Sequence, residues 1–133
     1  MTTPADKTSW WFLLDVHGGP NSAVSTKYNT GATSYAHRDK LYLIQFYDAA
    51  VGGQYPDDAF ELLDNWVSNT TESLAPSDWG MYINYADERM DRGTAQEVYW
   101  RNNLRRLQEI KARVDPHDLF YSPISIMPAK QAL

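Results

Sequence analysis

Residues 80–87 read Gly-Met-Tyr-Ile-Asn-Tyr-Ala-Asp, and this stretch decides the predicted fold. Its aromatic and branched side chains are typical of β-strands, so we predict a strand over Gly80–Asp87. In a regular strand Tyr82 and Tyr85 point to opposite faces. Both can therefore face one site only if a bulge interrupts the strand or if one tyrosine lies beyond its end.

Two apolar runs upstream of this stretch predict two further strands. The first, Trp10–His17, has a wholly apolar face and a second face that becomes polar toward the following Gly-Gly turn. The second, Leu41–Tyr47, also alternates between two faces. A short additional strand is predicted near Ala23–Tyr28. The apolar face of the first strand is expected to lie under helices, and its mixed face to line a cleft or contact a partner.

Helical spacing of apolar residues predicts two helices. Asp57 and Asp58 suit the first turn of one, which ends before Pro76. Thr94 and Glu97 have the spacing of a capping box and start the other, which the Asp-Pro pair at 115–116 stops. The order strand, strand, helix, strand, helix predicts an α+β fold in which an antiparallel sheet carries helices on one face.

The length of 133 residues and the composition predict one globular domain over residues 10–128, with tails at 1–9 and 129–133. A net charge of −5 argues against a nucleic-acid partner, which needs a basic patch. The absence of cysteine excludes disulfides and thiolate chemistry in this chain. Neither a signal peptide nor a membrane-spanning run is visible in the sequence, and the initial Met and polar ends favour a complete chain. We therefore expect a cytoplasmic protein without membrane contact.

A second cluster, Tyr99-Trp-Arg-Asn-Asn103-Leu-Arg-Arg-Leu107, follows the Tyr-Ile-Asn-Tyr stretch, and an Asp-Pro and a Leu-Phe pair come after it. This ordered set resembles the C-terminal part of the berberine-bridge-enzyme family of FAD-linked oxidoreductases. Residues 33–38, Thr-Ser-Tyr-Ala-His-Arg, are similar to an upstream motif of the same family, which usually has proline in place of Ala36. The resemblance implies a ferredoxin-like substrate domain.

The same resemblance assigns roles to three side chains. It implies that Tyr85 is a catalytic base, that Tyr82 lines the same region and that Asn103 lies near the flavin ring. A free tyrosine has a pKa near 10, so it works as a base at neutral pH only if a cation or hydrogen-bond donors stabilise its phenolate. The alternative is that both tyrosines are amphipathic core residues whose hydroxyl groups find partners.

Other candidates come from the residues themselves. Asp15 and His17 lie two positions apart, so they share a strand face and could perform acid–base chemistry, or they could form a solvent-exposed pair. Gln45 lies among apolar neighbours and either lines a pocket or faces solvent. Trp11 and Asn84 complete the predicted lining of the pocket. The three scattered histidines have no metal-ligand spacing.

The length of the chain leaves no room for a flavin-binding domain. We therefore expect a colourless protein without a cofactor, most simply a homodimer, that acts as a cyclase, isomerase or dehydratase on a polyketide- or terpenoid-like molecule. In such a reaction the shape of the pocket would supply orientation. The alternatives are part of a split or truncated FAD-dependent oxidoreductase, and a small-molecule-binding module without catalysis.

Overall fold

The structure is a computed structural model that describes residues 8–27 and 31–130. The described residues form two strands and four α-helices: β1 Thr8–Val16, α1 Ala23–Thr26, β2 Tyr42–Ala50, α2 Phe60–Thr71, α3 Arg92–Trp100 and α4 Leu104–Val114. Short 3-10 turns cover Asp57–Ala59, Ile83–Tyr85 and Arg101–Asn103. The predicted α+β class is confirmed, with an antiparallel two-stranded sheet.

The chain forms two compact units. Of the described residues, 8–17 and 42–79 make up the ribbon unit, and 18–27, 31–41 and 80–130 make up the tyrosine unit. The predicted tails fall largely on residues 1–7 and 131–133, which lie outside the described residues, although Thr8 and Ser9 already belong to β1. The predicted domain limits at 10 and 128 stay a prediction.

In the ribbon unit, β1 and β2 pair so that Thr8 lies opposite Ala50 and Val16 opposite Tyr42. Helix α2 covers part of the predicted apolar face through Trp66. The Trp66 ring meets the Trp10 ring edge-on, with 5.1 Å between centroids, and contacts the Phe46 ring at 5.4 Å. The rest of this face is open, since Phe12, Leu14 and Val16 are each more than half exposed.

The core of the tyrosine unit lies around α3. Ala95, Tyr99 and Ile124 are buried there, and other apolar side chains pack against them. The buried Tyr99 hydroxyl accepts a hydrogen bond of 2.9 Å from the main-chain N–H of Asp87. The fully buried Gln96 accepts one of 2.7 Å from the N–H of Met127. Each of these bonds satisfies a polar group that burial has removed from water.

Ion pairs hold the chain after α4. Asp118 accepts hydrogen bonds from both Arg92 (Nη2 to Oδ1, 3.0 Å) and Lys111 (Nζ to Oδ1, 3.1 Å). Its backbone is left-handed, with φ of +53°. The adjacent Asp115 also bonds Lys111, and its carboxylate accepts the main-chain N–H of Leu119 at 2.8 Å. The Arg92 hydrogen bond, with help from Lys111, lowers the pKa of Asp118 to about 2.

The prediction of a strand over Gly80–Asp87 is wrong. The N–H of Met81 bonds Val98 O on α3 at 3.1 Å, and the N–H of Tyr85 bonds Tyr82 O at 2.8 Å. The second bond closes a 3-10 turn. Strand propensity depends on a neighbouring strand to pair with, and here the stretch lies against a helix instead.

The prediction of a strand near Ala23–Tyr28 is also wrong, although Tyr28 lies outside the described residues. Residues Ala23–Thr26 form α1 instead, because the Ser22 side chain caps its first turn by accepting from the N–H of Val24 at 3.2 Å. Ser at this position favours a helix start over a strand.

The long C-terminal helix differs from its prediction in two respects. It starts at Arg92, where the carboxylate of Asp91 caps the N–H of Thr94 at 3.0 Å, so Thr94 is not the cap. It is also interrupted between α3 and α4. Arg101 has a φ of +47°, outside the right-handed helical region, and it begins the 3-10 turn Arg101–Asn103 that separates the two helices. The predicted end is confirmed, since α4 stops at Val114.

Candidate functional site

The 3-10 turn brings the two candidate tyrosines together. Tyr82 precedes the turn in extended conformation and Tyr85 closes it. A 3-10 helix has three residues per turn, so positions i and i+3 lie on the same side. The two rings accordingly meet edge to face, with 5.2 Å between centroids and 87° between planes. The irregularity that the sequence analysis required is therefore present, as a turn and not as a bulge.

Two neighbours hold Tyr82. The side-chain amide of Asn84 donates a hydrogen bond of 2.7 Å to the Tyr82 hydroxyl. On its other side the Tyr82 ring meets the ring of Tyr35 edge to face, with 5.7 Å between centroids. The Tyr35 ring in turn meets His37 at 5.8 Å, so four rings follow one another from His37 to Tyr85.

Burial governs the protonation of Tyr35 and His37, the first two rings of this series. Burial, and after it the neighbouring Tyr82, raises the pKa of Tyr35 above that of a free tyrosine. Tyr35 therefore stays protonated at neutral pH. Burial likewise lowers the pKa of His37, and the positive charges of Arg101 and Lys40 act in the same direction. His37 is therefore neutral at physiological pH, and its Nε2 lies 3.1 Å from the main-chain oxygen of Tyr99.

Gly80 allows this arrangement because it has no side chain. A Cβ atom at position 80 would lie 2.1 Å from Cε1 and 2.5 Å from Nδ1 of His37. Both distances are far below van der Waals contact, and His37 is buried, so its ring has little space to move. The backbone before Tyr82 can therefore approach the segment that carries Tyr35 only if residue 80 is glycine.

Asn103 holds the segment that carries Tyr35 by two hydrogen bonds. Its side-chain amide donates to the main-chain oxygens of Thr33 and Ser34, each at 3.2 Å. The guanidinium group of the buried Arg38 adds a bond of 2.7 Å to Thr33 Oγ1 and lies 5.5 Å from the centre of the Tyr35 ring. Asn103 thus supports the loop that presents Tyr35.

The other predicted site residues belong to the ribbon unit. Trp11 and Tyr47 lie opposite each other on β1 and β2, and their rings stack at 4.8 Å, each about two-fifths exposed. Half-buried Gln45 and exposed Asp15 share the face of this stack, because the register alternates by two. His17 is half-buried just after the strand, and its pairing with Asp15 in acid–base chemistry stays a prediction.

Two clefts of the tyrosine unit lie along α4. One of about 560 Å³ is lined mainly by α4 and by Ala129 and Lys130, and one of about 160 Å³ by residues 31–34 and α4. Within residues 8–27 and 31–130, no group of three His, Cys, Asp or Glu side chains could hold a metal ion. In that same part of the chain, no helix has the length and apolar character needed to cross a membrane.

Comparison with known proteins identifies relatives over almost the entire chain. The family described as "Berberine and berberine like" matches residues 81–127. A carbohydrate oxidase from Microdochium nivale is 56% identical over 122 residues, which cover 91% of this chain and 24% of that protein. A xylooligosaccharide oxidase from Thermothelomyces thermophilus is 53% identical over 127 residues, which cover 93% of this chain and 25% of that protein.

The chain corresponds to the berberine-like segment of proteins in the berberine-bridge-enzyme-like family of FAD-linked oxidoreductases. Solved structures agree with this assignment. The Microdochium oxidase in complex with a substrate analogue matches 91% of this chain and 26% of its own with a TM-score of 0.86. A glucooligosaccharide oxidase from Acremonium strictum, which carries 6-S-cysteinyl, 8α-N1-histidyl FAD, is 39% identical, covers 94% of this chain and 27% of its own, and has a TM-score of 0.86.

The berberine-like family assignment overturns part of the function predicted from the sequence. The relatives are redox enzymes, so a flavin-independent cyclase, isomerase or dehydratase acting on a polyketide or terpenoid is wrong. The physical reason is that the length of this chain alone does not exclude flavin chemistry. The chain spans about a quarter of the length of the curated relatives that it matches, so its own length does not limit the chemistry of the enzyme.

The ring cluster around Tyr82 also contains two residues that are not among the candidates predicted from the sequence. Tyr35 and His37 lie within residues 33–38, and their rings continue the series that begins at Tyr85. The available signal was the match of residues 33–38 to a family motif, which places an aromatic residue, a histidine and an arginine within four positions. Their distance of more than forty residues from Tyr82 concealed the contact.

Proposed function

We propose that this chain supplies substrate-side residues of an FAD-linked oligosaccharide oxidase. One observation carries the proposal: four relatives named as oxidases of carbohydrates or of xylo-, chito- and glucooligosaccharides are 42–56% identical over at least 90% of this chain. The tyrosine pair lies within the segment that the family description matches. The sequence also allowed this chain to be part of an FAD-dependent oxidoreductase, and we adopt that interpretation.

The proposed reaction is the oxidation of a sugar C–OH group to C=O, which removes the hydroxyl proton and a hydride from the carbon. FAD, when bound, supplies the acceptor for the two electrons. In this proposal Tyr85 takes the hydroxyl proton, and Tyr82 lies beside it at the sugar. A positioned general base contributes about 10² to 10⁴ in rate. The Asn84 amide donates a hydrogen bond to the hydroxyl of Tyr82, the residue beside the proposed base.

The described residues of this chain, 8–27 and 31–130, do not by themselves form a flavin site. The chain contains no cysteine, so it cannot form a cysteinyl link. His37 is buried, with its ring against Gly80 and its Nε2 at a main-chain oxygen, so it is not available for attachment. Neither cleft along α4 has a glycine-rich lining that could cradle phosphates. We propose that the remaining part of the oxidase holds the flavin.

In the ribbon unit, Trp11 and Gln45 are the proposed sugar contacts. The stacked and partly exposed rings of Trp11 and Tyr47 offer a flat apolar surface with polar edges, which suits the apolar face of a sugar ring. Gln45 shares that face of the ribbon and could bond sugar hydroxyl groups. Asp15 lies on the same face and stays an acid–base candidate.

A chimera tests the proposal. The segment of the Microdochium carbohydrate oxidase that matches this chain is replaced by the sequence of this chain, and oxygen consumption is measured with xylobiose and longer oligosaccharides. We expect the purified chimera to be yellow and to oxidise these sugars. We expect the Tyr85→Phe chimera to bind flavin normally and to turn over at least about tenfold more slowly, because it lacks the proposed base.

Tyr121→Phe provides the matched control. It also removes a single hydroxyl, from a tyrosine of the same unit that contacts Arg92 instead of the candidate pair. Its turnover should equal that of the unmodified chimera. A yellow, folded chimera that oxidises no oligosaccharide would refute the proposed function, and equal turnover of the Tyr85→Phe and unmodified chimeras would remove Tyr85 from the chemistry.

A further inference from the structure

We propose that Tyr35 and Asn84 are positioning residues that clamp Tyr82 from two sides and thereby hold the ring of Tyr85 in place. The inference rests on the proposed function for its kinetic consequence, while its structural content concerns this chain alone. This role differs from the lining of the pocket that the sequence predicts for Asn84, and the sequence predicts no role for Tyr35.

The first side of the clamp is a ring contact. The Tyr35 and Tyr82 rings meet at 82° with centroids 5.7 Å apart, and the Tyr82 and Tyr85 rings meet at 87° and 5.2 Å. Edge-to-face pairs at such distances stabilise a defined orientation of the two rings beyond what the buried area contributes. Tyr82 is therefore in contact on two sides, and rotation of its ring would disturb Tyr85.

The second side is the hydrogen bond from Asn84 to the Tyr82 hydroxyl, 2.7 Å long. Asn84 lies inside the 3-10 turn between the two tyrosines and is itself exposed. The bond fixes the end of the Tyr82 side chain while Tyr35 fixes its ring. A ring held at both places has a single orientation, which a contact at one place alone would not ensure.

Tyr35 can act in this way because its own loop is held firmly. Asn103 bonds the two carbonyl groups that precede Tyr35, and Arg38 lies over the Tyr35 ring and bonds Thr33. Burial also keeps the Tyr35 hydroxyl neutral, so it does not compete for a proton with the candidate base. These contacts give Tyr35 the rigidity expected of a group that orients others.

The first experiment records the aromatic NMR resonances of Tyr82 and Tyr85 in the full chain. Tyr35→Leu removes the ring, and Tyr35→Phe keeps it as the conservative control. We expect Tyr35→Leu to displace the ring resonances of both tyrosines and Tyr35→Phe to leave those of Tyr85 unchanged. Asn84→Ala, at an exposed position that tolerates substitution, should also displace both sets, so the test stands even if Tyr35→Leu fails to fold.

The second experiment places the same variants in the chimeric oxidase. We expect Tyr35→Leu and Asn84→Ala to lower kcat by about tenfold to a hundredfold, since a misplacement of about 1 Å can cost about 10²-fold. KM for xylobiose should stay within about twofold, because the clamp orients the base and does not bind the sugar. The Tyr35→Phe chimera should have a kcat close to that of the unmodified chimera.

The two experiments separate the two proposals. If the unmodified chimera oxidises no sugar but Tyr35→Leu and Asn84→Ala displace the Tyr85 resonances, the proposed function fails and the clamp stands. If neither variant displaces the Tyr85 resonances, the clamp is overturned, whatever the chimera does. A rise in KM at constant kcat would likewise overturn it, because Tyr35 and Asn84 would then act in sugar binding.

Discussion

In the ribbon unit the large apolar side chains of β1 stay largely exposed, whereas in the tyrosine unit the rings from His37 to Tyr85 and the ring of Tyr99 are half-buried or buried. Phe12 is 60% exposed on its strand, but Tyr99 is 2% exposed and carries a hydrogen bond on its hydroxyl. This difference indicates where a fixed side-chain geometry can be expected. Ring contacts and hydrogen bonds fix directions, and apolar contact alone does not.

The largest loss of stability should come from Gly80→Ala, which disrupts the close contact between residue 80 and the ring of His37 in the tyrosine unit. The new Cβ would overlap the His37 ring at 2.1 Å, and the buried ring can yield only by disturbing its surroundings. Overpacking of this kind costs about 3 kcal/mol in the free energy of unfolding. Urea denaturation followed by tyrosine and tryptophan fluorescence measures it.

Gly93→Ala is the control for this substitution. Gly93 lies in α3, where alanine is favoured over glycine, and its nearest contact would be 3.2 Å from an Asp91 carboxylate oxygen. The free energy of unfolding should therefore stay within about 1 kcal/mol of the unmodified value. A Gly80→Ala protein as stable as the Gly93→Ala protein would show that the His37 contact does not constrain the fold.

A smaller effect is expected from Asp118→Asn, which removes the charge that Arg92 and Lys111 share. Asparagine tolerates the left-handed backbone at this position, so the change leaves the turn intact and alters the ion pairs. The thermal midpoint at neutral pH should fall, by less than for Gly80→Ala. Differential scanning calorimetry at neutral pH measures the shift.

The same carboxylate should make stability depend on acid. Its pKa is about 2 in the folded chain and near 3.9 when unfolded, so its contribution is present above about pH 4 and lost as the pH falls toward 2. The unmodified protein should lose stability over this window more steeply than Asp118→Asn. Acid titrations of both proteins measure this. Equal losses of stability in the two proteins over this pH range would show that the ion pairs of Asp118 contribute little.

The smallest effect on stability should come from Phe12→Thr in the ribbon unit. The side chain is mostly exposed, so the free energy of unfolding should change by less than about 1 kcal/mol. Self-association should weaken, because exposed apolar strands favour contact between chains. Sedimentation velocity at several concentrations measures this, and it also tests the homodimer, which stays a prediction.

Trp66→Ala is the matched change on the helix side of the same unit. It removes the ring that contacts Trp10 and Phe46 and should lower stability clearly more than Phe12→Thr. Equal losses for the two variants, or an unmodified protein that stays monomeric at every concentration, would contradict the view that the open part of this face is available for contact.

The two units also differ in how well their structure follows from the sequence. Strands β1 and β2 follow from alternation of side chains, and the end of α4 from its Asp-Pro stop, because these signals are local. The Tyr-Ile-Asn-Tyr stretch has strand propensity, but its conformation depends on contact with α3 and with residues 35–37, which no local pattern encodes. Tyr35 could not be assigned to the candidate site for the same reason.

The break at Arg101 has a consequence for the way this segment can vary. In one continuous helix, each inserted or deleted residue rotates everything beyond it by about 100°. Arg101, which has a positive φ, and the 3-10 turn that it begins interrupt this relation. The directions in which the side chains of α3 point therefore do not fix those of α4. The buried face of α3, which carries Ala95 and Tyr99, and the face of α4 that carries Lys111 can therefore change independently, and the segment behaves as two adjustable helices.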